Sequence, residues 1–177
     1  MSARHDLPPP PDLSLQPACD DDFEALLSLR LAAMSESLQR LGSYDPQRAR
    51  ERLSRAFEPS HTRHIVCAGE RVGLVVVLPK DGHLVLDHLY IAPSAQRMGI
   101  GAWVMRQVLA EADARGLAVE VSALKLSEAD QFWRRHGFEL RHDDGWDLHY
   151  RRPPRALAAP VAAAEADDEP RRSAAGG

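Results

Sequence analysis

Residues 89–103 read LYIAPSAQRMGIGAW, and this stretch decides the fold. Its first residues continue a β-like run that ends at Ile91, and Pro93 cannot extend that strand. A loop with Gly99 and Gly101 then leads into a helical pattern. The first N–H groups of a helix lack intrahelical partners and carry the positive end of the helix dipole. A strand, a glycine loop and a helix in this order therefore predict a site for a phosphate group.

The residue types of the loop fit this prediction without proving it. Glycine has no β-carbon, so a ligand can come close to the backbone at Gly99 and Gly101, and Arg97 adds a charged donor. The same glycine spacing is also typical of a plain tight turn. The chain lacks the Gly-Lys-Ser/Thr sequence of a P-loop, and Val104 stands where a dinucleotide-binding loop needs a third small residue.

Hydrophobic periodicity predicts helices and strands on both sides of this loop. Before it we expect a strand, two helices and three strands: 13–18, a helix that ends at Gly42, a helix that begins at Asp45 and Pro46, then 64–68, 72–78 and 83–91. After it we expect a helix, a strand, a short helix and two strands: 101–115, 117–123, 127–136 and the two arms of the turn at 143–145. The order βααβββαβαββ predicts an α/β (α+β) fold in which helices flank a mixed, mostly antiparallel sheet.

The two ends differ in composition from the middle of the chain. Residues 1–12 include four consecutive prolines, which predicts a flexible N-terminal arm. Residues 153–177 are rich in alanine, proline and charge and contain no aromatic residue, which predicts a disordered tail. Residues 13–152 are then expected to form one domain around a single core.

Composition narrows the classes of partner. The formal net charge is −4, with 22 basic and 26 acidic side chains, so we expect no nucleic acid as the main partner. No stretch approaches the roughly 20 apolar residues of a membrane span, and the first thirty residues do not resemble a signal peptide. Two cysteines cannot form a disulfide framework, which suits the cytoplasm. The histidines and cysteines lack the spacing of metal ligands, so no metal is expected. A homodimer is compatible with the sequence.

Two motifs resemble those of the GNAT superfamily of N-acetyltransferases. The sequence LYIxP followed by QxxGxGA, over 89–102, is similar to the acyl-CoA signature of that family. The sequence AxxFWxxxGF, over 129–138, is similar to its second motif. Both stand in the order and separation of the family, and with the element order they cover nearly all of 13–152. The resemblance implies a GNAT-like fold, with acetyl-CoA as the co-substrate.

The resemblance also implies where acetyl-CoA binds. In this family the strand before the loop pairs through its backbone with the pantetheine arm, and the loop amides hold the pyrophosphate. The cofactor-binding residues implied are Leu89, Tyr90, Ile91, Gln96, Arg97, Met98, Gly99, Ile100, Gly101, Ala102, Asp130 and Trp133. We expect the side chains of Leu89 and Ile91 to belong to the core.

The second motif departs from the family at Trp133. Many members have a tyrosine there that protonates the departing thiolate, whereas an indole N–H only donates a hydrogen bond. Many also carry an asparagine in this stretch, where Leu126 and Asp130 take the equivalent positions. A thiol with a pKa of about 8.5 leaves readily near neutral pH, and solvent can protonate it. The departure therefore predicts a slower enzyme.

The acceptor amine must lose a proton, and two adjacent residues are candidates for its base. Strict alternation places Val85, Asp87, Leu89 and Ile91 on one strand face, and Leu84, Leu86, His88 and Tyr90 on the other. Relatives often carry glutamate at the position of Val85, so Asp87 is the preferred catalytic residue. His88 is the second, because the ordinary pKa of histidine, about 6.5, suits proton transfer. Alternation lets only one of the two point at the cleft. A salt bridge for Asp87 and a core position for His88 stay open.

The acceptor and the exact function have several candidates. Members of the family commonly shape the acceptor pocket between their first two helices, which implies Tyr44 and Asp45 as substrate-binding residues, although helix capping also explains Asp45. The leading function is transfer of an acetyl group from acetyl-CoA to the primary amine of a small molecule or peptide, by direct attack in a ternary complex. The alternatives are acetylation of a protein lysine or N-terminus, and a non-catalytic acyl-CoA-binding module.

Overall fold

A seven-stranded sheet with helices on both faces forms the molecule. The computed structural model describes residues 10, 12–40, 45–125 and 129–155. The strands are β1 (Leu13–Pro17), β2 (Thr62–Cys67), β3 (Glu70–Lys80), β4 (His83–Ile91), β5 (Ala118–Leu124), β6 (Glu139–Asp143) and β7 (Asp147–Arg152). The helices are α1 (Phe23–Arg40), α2 (Pro46–Ala56), α3 (Ile100–Ala114) and α4 (Ala129–Arg135). This order confirms the predicted βααβββαβαββ fold. Of the predicted arm and tail, residues 1–9, 11 and 156–177 lie outside the described residues.

The strands lie in the order β1-β2-β3-β4-β5-β7-β6. Every pairing between described strands is antiparallel except that of β4 with β5, because α3 carries the chain back to the same end of the sheet. The short turns at 68–69 and 81–82 give the predicted antiparallel meander β2-β3-β4. The parallel pair joins this meander to the smaller β5-β7-β6 unit.

Apolar side chains pack on both faces of the sheet. The α3 face carries the larger cluster, to which α3 contributes six buried residues at helical spacing: Ile100, Val104, Met105, Val108, Leu109 and Ala112. The α1 face carries a smaller cluster of Leu26, Leu27, Leu53, Leu74 and Val76. Two buried faces explain why the central strands read as continuous apolar runs rather than as a strict alternation.

A bulge interrupts β4 at Asp87. Val76 of β3 pairs with His88, and the next residue, Val77, pairs with Leu86, so Asp87 is an extra residue in the ladder. A single inserted residue shifts the side chains that follow it to the opposite face of the sheet.

This bulge makes the predicted strict alternation along β4 wrong. Leu84 and Leu86, before the bulge, lie in the α3-face cluster, and Leu89 and Ile91, after it, pack against the same cluster. Tyr90 packs on the α1 face instead. The prediction that Leu84 and Leu86 share a face with His88 and Tyr90 therefore fails, because the side-chain period of two does not continue through an added residue.

Buried Asp22 fixes the entry to α1. Its carboxylate accepts the N–H of Cys19 at 2.9 Å and the guanidinium of Arg71 at 2.6 Å, and His64 Nε2 lies 2.9 Å away. The contact with His64, first among these partners, lowers the pKa of Asp22. Because the folded-state pKa is lowered, this stabilisation is present above the unfolded pKa of about 3.9 and is lost as acid protonates the carboxyl group.

Two arginines near the C-terminal end of the described residues are tied to α3. Asp113 accepts two hydrogen bonds of 2.8 Å from the guanidinium of buried Arg152 and one of 2.7 Å from the N–H of Arg155. The second contact holds the backbone of Arg155, which follows β7, against α3.

Gly73 of β3 leaves no room for a side chain between β4 and β2. A β-carbon there would be 2.6 Å from the carbonyl oxygen of Tyr90 and 2.8 Å from Cδ1 of Ile65. Since backbone must move to relieve such a contact, Gly73→Ala should destabilise the fold by about 1–3 kcal/mol, measured as a lower thermal midpoint. In the control Gly101→Ala the new β-carbon is no nearer than 3.5 Å to its neighbours. This control should be neutral or slightly stabilising. Equal midpoints for Gly73→Ala and wild type would contradict the close approach.

Candidate active site

The loop before α3 adopts an unusual backbone conformation. Arg97 has φ 63° and Gly99, the residue before the helix, has φ 76°, so both lie in the left-handed region. Glycine adopts this region freely, whereas an arginine does so rarely. Left-handed residues among right-handed ones turn successive N–H groups toward a common point, which makes a binding site for an anion.

The first turn of α3 presents free hydrogen-bond donors. The helical bonds begin with the N–H of Trp103, which donates to the carbonyl of Gly99 at 3.0 Å. Within the described part of the chain, the N–H groups of Ile100, Gly101 and Ala102 have no acceptor. These donors lie at the positive end of a 15-residue helix. The arrangement suits a phosphate group, as the loop sequence predicts, and it is compatible with the pyrophosphate that the family resemblance implies.

The side chain of Gln96 braces the loop. Its Nε2 donates to the carbonyl of Ile91 at 2.9 Å, across the short 3-10 turn Pro93–Ala95. Buried Ala95 and Ile100 anchor the two ends of the same loop in the core. The loop therefore holds its shape through protein contacts, and its amides are positioned before any ligand arrives.

One edge of β4 is open beside this loop. The pairing of β4 with β5 ends at Leu86 and Val121, and no described strand pairs with that edge from Asp87 to Ile91. Extended backbone with an unpaired edge binds another extended chain by the same hydrogen bonds that join strands. The free edge and the free helix terminus are adjacent, so a single elongated ligand can contact both.

Asp87 and His88 lie at the far end of this open edge. His88 Nδ1 is 2.8 Å from the Asp87 carboxylate and 2.6 Å from the Asp87 carbonyl oxygen. The His88 side chain is fully buried, while that of Asp87 is 29% exposed. The expectation that alternation sends these two side chains to opposite faces fails, because the bulge brings them into contact. Of the two side chains, only that of Asp87 is partly exposed. Of the alternatives left open, the structure gives Asp87 a hydrogen-bond partner in His88 and places the His88 ring in the core.

This pairing sets the charge of Asp87. The hydrogen bond from His88 lowers the pKa of the carboxyl group, and the charges of His88, Arg52 and Arg30 act in the same direction, against the opposing effect of burial. A carboxylate with a lowered pKa stays ionised at neutral pH and accepts a proton poorly. Asp87 is therefore better suited to attract a cation than to act as a base.

Comparisons with known proteins agree with this geometry. The family model of the acetyltransferase (GNAT) domain matches residues 60–140, which include the sheet centre, the loop, α3 and the second motif. The chain therefore contains a GNAT acetyltransferase domain over these residues. This match supports acyl-CoA-dependent acetyl transfer in general. No curated protein matches the chain significantly.

Solved structures with the same fold include GNAT enzymes from several organisms. The PaiA N-acetyltransferase of Thermoplasma acidophilum, in complex with coenzyme A, is 12% identical with a TM-score of 0.67 over 80% of this chain and 99% of that one. The ribosomal-protein-S18-alanine N-acetyltransferase of Escherichia coli is 13% identical with a TM-score of 0.62, over 85% and 98%. An acetyltransferase of Thermus thermophilus is 20% identical with a TM-score of 0.61, over 80% and 96%. At these identities the likeness shows the fold alone.

The second GNAT motif is mainly a packing element here. Trp133 is 7% exposed and packs edge-on against Phe138 and Phe132, with centroids 5.7 Å and 4.9 Å away. Its indole nitrogen is buried without a hydrogen-bond partner among the described residues. Phe132 reaches the start of α3, where it lies next to Gly101. Phe132 thus packs against the first turn of α3, and Trp133 packs against Phe132.

The carboxylate of Asp130 is hydrogen-bonded to other side chains of the protein. It accepts the hydroxyl of buried Tyr150 at 2.6 Å and the Nε of Arg134 at 2.9 Å. Burial is the main cause that raises the pKa of Tyr150 to about 12, and the hydrogen bond to the Asp130 carboxylate is the second. These bonds join α4 to β7, and they explain Asp130 without a ligand. Its predicted contact with the cofactor stays a prediction, and Leu126 lies outside the described residues.

Arg30 is a buried polar residue that was not among those predicted from the sequence. It lies in α1, is 4% exposed, donates from Nε to the Tyr90 hydroxyl at 3.3 Å, and donates from Nη1 to the carbonyl of Ala49 in α2. Its guanidinium also lies over the Tyr90 ring, 5.5 Å from the centroid. A signal existed, because an arginine four residues after Leu26 interrupts the apolar stripe of α1. It fixes both helices to β4 beside Asp87.

The two predicted acceptor contacts have different outcomes. Tyr44 lies outside the described residues. Asp45 caps α2, and its side chain accepts the N–H groups of Gln47 at 3.0 Å and Arg48 at 3.2 Å. Capping accounts for Asp45, and any contact with substrate stays a prediction.

In the ranges that the structure covers, no helix has the length and apolar character to cross a membrane.

The proposed phosphate binding by residues 97–102, here called the phosphate loop, can be tested at Gly101. Gly101→Glu would place a bulky negative side chain where the free N–H groups converge, so acetyl-CoA should no longer raise the thermal midpoint, as it should for wild type. The β-carbon itself meets only ordinary contacts, so the variant should fold. The control Gln107→Glu adds the same charge to an exposed position farther along α3 and should keep the response. Equal responses in all three proteins would remove the assignment of the loop.

Proposed function

We propose that this protein is an N-acetyltransferase that moves the acetyl group of acetyl-CoA to a primary amine by direct attack in a ternary complex. One observation carries the proposal. The unpaired N–H groups of Ile100, Gly101 and Ala102 adjoin the open edge of β4, and that edge leads to an ionised carboxylate. These three features suit the phosphates, the extended arm and the cationic acceptor of such a reaction. Both cysteines are free thiols, which suits the proposed cytoplasmic location.

Binding of acetyl-CoA would use mostly backbone groups. The amides from Arg97 to Ala102 would hold the pyrophosphate, and the main chain of Leu89, Tyr90 and Ile91 would pair with the pantetheine arm. The strand from Ile91 back to Asp87 spans about 13 Å at about 3.3 Å per residue. The co-substrate supplies an activated acyl group as a thioester.

The acceptor would approach from the α1 side of the sheet. Asp87 stays ionised because of its contact with His88, so it attracts an ammonium ion to the end of the open edge. Arg30 holds Tyr90 and α2 in place around this position. Fixed charges aimed at a reacting group need no rearrangement during the reaction, which is their main benefit to catalysis.

Departure of the thiolate would not use a protein acid at Trp133. That indole is buried in the aromatic cluster and cannot supply a proton. Solvent would protonate the thiolate, which leaves readily at neutral pH.

A transfer assay tests the proposal. Purified protein is incubated with acetyl-CoA and three sets of acceptors: a library of small primary amines, a library of lysine peptides and peptides with free N-termini, and buffer alone. Mass spectrometry then follows the acetyl group. Acetylation of at least one amine, absent with Gly101→Glu, is the expected result. Transfer to peptides alone would favour the protein-modifying alternative, and binding of acetyl-CoA without transfer to any acceptor would overturn the proposal.

The role of Asp87 gives a second measurable outcome. Asp87→Asn should lower kcat/KM about a hundredfold for a cationic acceptor, mostly through a higher KM, because it removes an attractive charge. His88→Gln should cost about tenfold or less, since the carboxylate remains. The control Asp81→Asn makes the same chemical change in the exposed turn before β4 and should behave as wild type. A loss confined to kcat, with KM unchanged, would show that Asp87 acts on the chemical step instead.

A further inference from the structure

Three polar side chains form a hydrogen-bonded chain across β5, β7 and the turn that precedes β7. Ser122 Oγ lies 2.8 Å from His149 Nδ1, and His149 Nε2 lies 3.0 Å from Asp144 Oδ2. Ser122 and His149 are direct partners in the β5–β7 ladder. A serine, a histidine and an aspartate linked in this order form a proton-transfer chain that many hydrolases use to activate the serine hydroxyl.

The turn fixes the aspartate and, through it, the histidine. The N–H groups of Trp146 and Asp147 donate to Asp144 Oδ1 at 2.9 Å and 2.7 Å, which leaves Oδ2 for His149. The backbone N–H of Asp147, followed by the contact with His149, lowers the pKa of Asp144, so this carboxylate is ionised. An ionised acceptor requires the ring hydrogen on Nε2. In the neutral form of the ring, the lone pair of Nδ1 then faces the hydroxyl of Ser122.

The chain of three lies at the point where β4 and β5 part. The last pair is Leu86 with Val121, and Ser122 is the next residue on β5. Val121 points into the α3-face cluster, so Ser122 points to the opposite face. That is the α1 face, on which the positive charges of Arg30 and Arg52 interact with the carboxylate of Asp87. Ser122 and Asp87 thus lie on facing edges of the gap.

Nothing covers this part of the sheet among the described residues. Ser122 is exposed, and the side chain of His149 is 38% exposed. His142 of β6 stacks on the His149 ring with centroids 5.7 Å apart. On the same face, Arg151 pairs with Glu120. An amine can therefore reach Ser122, and a proton on His149 can leave to solvent.

We propose that Ser122 and His149 form the proton relay that deprotonates the acceptor amine, with Asp144 as a positioning residue. An N–H bond of the ammonium breaks as its proton passes to Ser122 Oγ, while the serine proton passes to His149 Nδ1. The ammonium becomes the neutral amine that attacks, and the imidazole becomes an imidazolium paired with Asp144. His149 then returns its proton to water. The inference rests on the proposed acetyl transfer and supplies the base that ionised Asp87 does not.

The test compares two acceptors that differ in basicity. One is the best primary amine from the transfer assay, which is ionised at neutral pH as a lysine side chain is, with a pKa of about 10.4. The other is its alkoxyamine analogue, which has an oxygen next to the nitrogen and is neutral at the same pH. Only the first needs to lose a proton before attack. A relay therefore matters for the first and hardly at all for the second.

Ser122→Ala and His149→Gln should each lower kcat/KM about a hundredfold with the alkylamine, within the range of a lost general base. With the alkoxyamine the loss should stay below about threefold. Ser122→Thr keeps the hydroxyl and suits a strand, so it should restore most of the rate. His142→Gln alters the stacked neighbour outside the relay and should stay near wild type. All variants should keep the response of their thermal midpoint to acetyl-CoA.

Two other results would overturn the relay. Equal losses with both acceptors would show that the variants only disturb structure, and full activity in His149→Gln would show that the proton leaves by another route. Both results leave the proposed function intact, because wild type still transfers the acetyl group. If the transfer assay finds no primary amine that the wild type acetylates, the proposed function itself is overturned, and the relay with it.

Discussion

The parallel contact between β4 and β5 lasts for only four residue pairs, from His83–Ala118 to Leu86–Val121, and the functional site depends on where it stops. A parallel ladder that continued would bury the backbone groups of β4 up to Ile91 in strand pairing. Because it stops, those groups keep unpaired donors and acceptors beside the helix terminus that follows. The free strand edge and the free end of α3 are consequences of one local separation of two strands.

The bulge at Asp87 directly follows the last β4–β5 pair, Leu86 with Val121. The bulge and the end of the ladder together shape this part of the site. An extra residue in β4 turns the strand and puts Asp87 and His88 in contact, where a regular strand would send them to opposite faces. The carboxylate then remains ionised beside a fully buried imidazole. Across the gap, Ser122 and His149 form a hydrogen-bonded pair that is open to solvent. In the proposed mechanism, attraction of the amine and removal of its proton fall to separate groups with separate electrostatic environments.

The two faces of the sheet are built from different interactions. The α3 face is an apolar core, and it holds the phosphate loop through packing of Ile100, Phe132 and Trp133. The α1 face combines a small apolar cluster with polar contacts, among which Arg30 connects α2, α1 and β4. Truncating one partner of such a buried polar contact leaves the other unsatisfied, so these contacts fix position more strictly than apolar packing does. In the proposed enzyme, polar bonds would therefore position the groups around the acceptor, and the apolar core would position the groups around the cofactor.

Local patterns in the sequence determined the elements and the glycine loop that leads into α3. The order of strands and helices and the glycine loop at 97–101 follow from periodicity, turn residues and backbone chemistry, all of which act over a few neighbouring residues. The cap at Asp45 is equally local. Each of these features was predictable because its physical cause lies within one short segment.

Tertiary structure alone decided the face of each residue in β4 and the residues that meet at the gap. The bulge at Asp87 arises from pairing with β3 and has no local signature, so strict alternation misplaced His88 and Tyr90. Ser122, Asp144 and His149 come together only because β5 pairs with β7. Such contacts depend on register between distant segments, and the period of a strand carries no information about its partner.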